Sequence, residues 1–145
     1  MSTRTLSKKN QYYVERELYL ATIHWCRQYP KWIRELSIPP DTSIAIKYDK
    51  ERVKSSNNYD PTSDIAIRRQ LMSKKVSIID RTAHEVSAAY ADKHYHSVEK
   101  MAYYLKRHTC YGDSFNRLQF AGMMCPRDRF YAMRRRFYYQ ISREI

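Results

Sequence analysis

The chain has 145 residues, enough for one domain or one domain with an extension. Lys and Arg number 27 against 15 Asp and Glu, a formal charge of +12 that favours polyanions: nucleic acid first, anionic membrane surfaces second. Two glycines and five prolines disfavour a turn-rich β architecture, and three cysteines (Cys26, Cys110, Cys125) at no framework spacing disfavour a disulfide scaffold.

Ser7 is placed to cap a first helix, on which Val14, Leu18, Ala21 and Trp25 make one apolar stripe. Tyr29, Trp32 and Leu36 continue the rhythm in a second short helix with Pro30 in its first turn. Ile38-Pro39-Pro40-Asp41 ends it, and residues 41–63 read as a long loop with one short extended piece at Ile44-Ala45-Ile46.

Thr62 or Ser63 can cap the longest helix, whose stripe runs Met72, Val76, Ile79, Ala83, Val86, Tyr90. That heptad spacing suits packing against the first helix or a dimer seam. After a break at Asp92–Ser97, Val98, Met101, Ala102 and Leu105 share one helical face. Tyr111-Gly112-Asp113-Ser114 is a turn, and Asp113 or Ser114 caps a short helix carrying Phe115, Leu118, Phe120 and Ala121.

The last helix is predicted to start near Pro126, with Phe130, Met133, Phe137, Ile141 and Ile145 on its buried side. A short helix, a tight break and a long Arg-covered helix read as a helix-turn-helix. From Ser97 onward there are ten basic and four acidic residues, a net of +6, half of the whole excess. Residues near the start of such a helix reach base edges and later ones meet phosphates, so Arg127, Arg129 and Tyr131 are assigned to the groove, and Arg134 and Arg135 to flanking phosphates. Arg117, on the supporting helix, joins the candidate set. The competing reading is a solvated Arg-rich face. The 14 tyrosines suit core packing, or stacking on exposed bases.

Other chemistry finds little support. His94, His96, His108 and Cys110 match no zinc-ligand spacing and read as surface histidines at a helix junction with a nearby thiol. His24 and Cys26 are two apart and diverge on a helix, which leaves Cys26 as a small core residue. There is no phosphate-cradling glycine loop and no tight carboxylate pair. No enzymatic activity, metal or cofactor is expected. No apolar leader segment and no stretch long enough to cross a bilayer is present, which points to a cytoplasmic protein.

The chain resembles the RinA-type phage transcriptional regulators, most closely late-gene activators of bacteriophages of Gram-positive hosts such as lactococci. Its last part is similar to the helix-turn-helix of sigma-factor region four. Phe120-Ala121, Arg129-Phe130-Tyr131 and Arg134 through Phe137 carry the likeness, with Glu17-Leu18, Tyr29-Pro30, Trp32 to Leu36 and Asp60-Pro61-Thr62. It departs from the family at Met123-Met124-Cys125-Pro126, which lacks the usual glycine or hydroxyl residue. The resemblance implies an activator of a phage late operon that binds promoter double-stranded DNA through Arg127, Arg129, Tyr131 and Arg134, with host RNA polymerase as a further partner and a place at the nucleoid.

The expected architecture is all-α: residues 1–96 as a helical scaffold, an N-terminal helix pair and a long central helix, and 97–145 as the helix-turn-helix. The molecule would be a monomer or homodimer. The rivals are a small-terminase-like packaging protein that oligomerises through the Met72–Tyr90 stripe, and a nonspecific nucleic-acid binder.

Overall fold

The computed structural model describes residues 7–39, 61–90 and 96–145, and these are all-α. Their helices are α1 (Arg16–Arg27), α2 (Tyr29–Ser37), α3 (Pro61–Tyr90), α4 (Val98–Thr109), α5 (Phe115–Phe120) and α6 (Arg127–Ser142). The expected extended piece at 44–46 lies outside the described residues, as does the loop up to residue 60. Helix α3 already includes Thr62 and Ser63, so neither is its cap.

Helix α1 begins later than its sequence suggests. The Ser7 side chain and carbonyl accept from the amides of Lys9 and Asn10, and Asn10 does the same for Tyr12 and Tyr13. Those turns occupy groups that a helix would otherwise use. The buried side of α1 is also rotated from the predicted stripe. Leu18 is 41% exposed and Ala21 faces solvent, while Thr22, Ile23 and Cys26 are buried. A threonine can take that place because its hydroxyl donates to the Leu18 carbonyl at 2.7 Å. Tyr19, on the same side, meets the edge of Tyr138 at 5.5 Å between ring centroids.

The described residues gather into two compact units, divided between Pro30 and Lys31 and between Val76 and Ser77. This division does not fall at 96/97. In the smaller unit Trp32 and Met72 are buried, and Lys75 lies 5.2 Å from the Trp32 ring centre. Arg69 donates to the Glu35, Leu36 and Ile38 carbonyls at 3.2, 3.0 and 2.9 Å. Those are the orphan acceptors at the end of α2, so one guanidinium closes that helix.

In the larger unit α1 packs along α6 and touches α4, and α4 in turn packs on α5 and α6. Of the predicted α3 stripe, Ile79, Ala83 and Val86 are buried here at 0% exposure, while Tyr90 is half-buried. Cover supplied by the chain itself leaves these side chains unavailable as a seam between copies. On α6, Phe130, Met133, Phe137 and Ile141 are buried as their spacing predicts. Tyr138 joins them, while Ile145 lies beyond the helix and is 44% exposed.

The turn before α6 does contain a glycine, one residue earlier than the expected break. Gly122 has φ +110 and closes α5. Its amide donates to Gln119 and that of Met123 donates to Leu118, at 3.1 and 3.0 Å, with Leu118 and Met123 both buried beside the turn. This is a Schellman closure, which needs a left-handed residue at that position. A Cβ on Gly122 would meet nothing within 4 Å, so the cost of Gly122→Ala is purely conformational. The variant is expected to lose about 1–2 kcal/mol in urea unfolding, with an unchanged m value.

Candidate nucleic-acid interface

Two serines start the helices of the C-terminal corner. Ser97 accepts from the Lys100 amide at 3.2 Å to begin α4, and Ser114 accepts from the Arg117 amide at 3.1 Å to begin α5. Asp113 locks the turn between them. Its carboxylate accepts from Arg107 at 2.8 Å, and Arg117 lies 3.9 Å from the other oxygen. Gly112, at φ +84, permits the turn, and a Cβ there would run into the Arg27 guanidinium.

His108 is a core group, not the surface histidine its sequence position suggests. It is 5% exposed and packs edge-on against Phe130 at 5.1 Å. Its Nδ1 lies 2.7 Å from the Asp113 carbonyl and its Nε2 lies 3.3 Å from Arg134 Nη1. The carbonyl can only accept and the guanidinium can only donate, so the ring carries its proton on Nδ1. Burial lowers its pKa to about 4, the Asp113 hydrogen bond opposes this, and the Arg134 charge lowers it further.

The other groups weighed for metal or thiol chemistry have separate jobs. His96 accepts from the Met124 amide at 2.9 Å, and its pKa is lowered by burial and by the Lys100 charge. Cys110 is buried, and its hydrogen bond with Cys26, together with burial, raises the Cys26 pKa. His94 lies outside the described residues, and among the described ones no three His, Cys, Asp or Glu side chains group as metal ligands.

The six candidate residues do not share one surface. Arg127, Tyr131 and Arg134 form a ladder beside α5. Arg127 lies 5.0 Å from the Phe115 ring centre and donates to Asn116 Oδ1 at 3.1 Å. Arg134 lies 4.4 Å from the Tyr131 ring centre, and Tyr131 in turn lies 6.0 Å from Phe115. Arg134 turns inward: its Nε is buried and, among the described residues, without a hydrogen-bond partner. Arg117 stands on α5 with its side chain 76% exposed. Arg129 and Arg135 are half-buried, on flanks of α6 that diverge.

Helical spacing sorts the outward groups. Arg127, Tyr131 and Arg135 are four apart and make one ridge, while Arg129 and Arg136 are seven apart and lie on the other flank. Arg136, outside the candidate set, sits 5.9 Å from the Tyr90 ring centre. Its position seven after Arg129 was the available signal. Among the described residues no carboxylate lies within 4.0 Å of Arg127, Arg135 or Arg136. These charges are therefore offered to an external anion at little cost in internal pairing.

In comparisons with family models, curated proteins and solved structures, nothing matches the chain.

His108 gives the corner a defined response to acid. Unfolded, the ring takes up a proton below its ordinary 6.5; folded, it stays neutral to about 4. Between those values the unfolded state holds more protons, so stability falls as pH drops through that window and levels off below it. His96 acts in the same direction. His108→Gln should remove up to about 3 kcal/mol of this acid loss, measured as urea stability at pH 7 and near pH 4. An unchanged loss would assign the acid response to other groups.

Proposed function

We propose that the chain is a sequence-specific DNA-binding regulator whose reading surface is the start and outer ridge of α6. One observation carries this reading: among the described residues Arg127, Arg135 and Arg136 stand without a carboxylate partner on one helix, presented by a corner that two capped helices and Asp113 hold rigid. Arg127, the first residue of α6, is placed for base edges, where its planar fork suits guanine O6 and N7. Arg135 and Arg136, two turns further on, suit phosphates. Arg129 is half-buried on the flank and has a partner within the protein, so it takes a lesser part. Arg134 serves by shaping the Tyr131 ladder.

The resemblance to RinA-type regulators extends this reading to activation of a phage late operon, with host RNA polymerase as the protein partner. The packaging alternative draws on a seam along α3, and the side chains of that stripe at Ile79, Ala83 and Val86 are already covered within the chain.

Selection from a random duplex pool at about 150 mM salt tests the reading, because nonspecific binding is weakened there. One enriched motif supports it, and a palindromic one adds a dimer. Binding without enrichment would favour the nonspecific or packaging reading, and no binding would sink both it and ours. With the enriched duplex, Arg127→Ala should cost about 1–3 kcal/mol and relax one base position. Arg135→Ala with Arg136→Ala should weaken all sequences alike and flatten the salt slope by about two.

A further inference from the structure

Phe120 is the last residue of α5 and is 96% exposed, while Met124, in the turn that follows, is 63% exposed. Both sequence pattern and resemblance place Phe120 on the supporting helix, whose apolar side chains would ordinarily share its core. The structure gives that share to Phe115 and Leu118, which are 4% and 3% exposed. An uncovered ring forgoes about 1.5–3 kcal/mol of burial, so Phe120 adds nothing to the fold by packing.

The backbone that presents it is held on every side. The Gly122 closure fixes the end of α5, Met123 is buried, and the Met124 amide donates to His96 at 2.9 Å. Two apolar side chains thus project from a pinned turn. Cations flank them: Arg117 precedes Phe120 by one helical turn, and Arg127 opens α6 directly after the turn. The occupant of such a tip must offer an apolar, stackable surface bordered by negative charge. Stacked base pairs between two phosphate backbones fit that description. A single ring with one methionine is too small an apolar area to hold the protein on a lipid surface.

We propose that Phe120, supported by Met124, is a wedge that enters between adjacent base pairs when the corner docks, unstacking and kinking the duplex at a deformable pyrimidine–purine step. The proposal rests on the DNA-binding reading above and adds to it a second mode of recognition. Arg127 would read base edges, while the wedge would favour sequences that bend easily.

The full chain would be titrated into a duplex containing TA steps, with 2-aminopurine replacing adenine at those steps. Anisotropy reports binding and 2-aminopurine fluorescence reports unstacking in the same sample. Wild type is expected to bind and to raise the fluorescence. Phe120→Ala should keep its fold and its salt slope, bind about tenfold more weakly and lose the fluorescence rise, while Phe120→Leu should keep most of it.

Binding by wild type without a fluorescence rise, or a rise that survives Phe120→Ala, overturns the wedge and leaves the DNA-binding reading standing. So does self-association in sedimentation, or binding to anionic vesicles, that Phe120→Ala abolishes without changing the DNA signals. No anisotropy change with wild type removes the DNA reading and the wedge together.

Discussion

The C-terminal corner depends on a neutral imidazole held between a carbonyl and a guanidinium. His108 joins α4, on which it stands, and the adjoining Asp113 turn to Arg134 on α6, 26 residues away. A charged ring there would face Arg134 across 3.3 Å in a site shielded from water. The corner is therefore assembled around the absence of a second proton on the ring, and Phe130 and Tyr131 pack edge-on against it. Arg134 is oriented by the same contact, which sets the Tyr131 ring and through it the start of α6.

Helix α6 carries two loads. One side supplies Phe130, Met133, Phe137, Tyr138 and Ile141 to the core. The other presents the arginines. A helix fixed by so many buried aromatic contacts cannot rotate or slide to meet a ligand, so an anion must come to where the guanidinium groups already stand. Preorganisation of this kind reduces the ordering cost of binding. It also ties the arginine-bearing helix to α1, whose Tyr19 rests on Tyr138, and to the turn before α1, whose Tyr12 rests on Tyr139.

The helical class and most of the later elements were legible in the sequence. The α6 stripe, the Ser114 cap and the buried face of α4 follow from spacing and capping chemistry. What failed had specific causes. On α1 two apolar stripes overlap, and the winner uses Thr22, whose hydroxyl is satisfied by the Leu18 carbonyl one turn back, and Tyr19, whose ring finds Tyr138 only in the fold. The sequence places Phe120 on the short supporting helix but does not show that α5 stops at that residue and leaves its ring outside. The inward turn of Arg134 depends on His108, 26 residues away, and no local pattern encodes it. Sequence position placed Arg127, Arg129, Tyr131, Arg134 and Arg135 on one helix, but the grouping of its arginines into an inner ladder and outer flanks needed the packing of α4 and α5.

The contact of α1 with α6 joins residues far apart in the chain, as the Tyr19–Tyr138 pair marks. Its closure entropy is met only when the final helix exists to be covered. During synthesis α1 must wait with its apolar side uncovered, while α6 finds α1, α4 and α5 already made when it emerges. The arginine ridge thus acquires its fixed geometry in the last step of folding. A chain still lacking α6 would carry neither the cationic ridge nor the cover for α1, so the arginines and the support that fixes them arrive together.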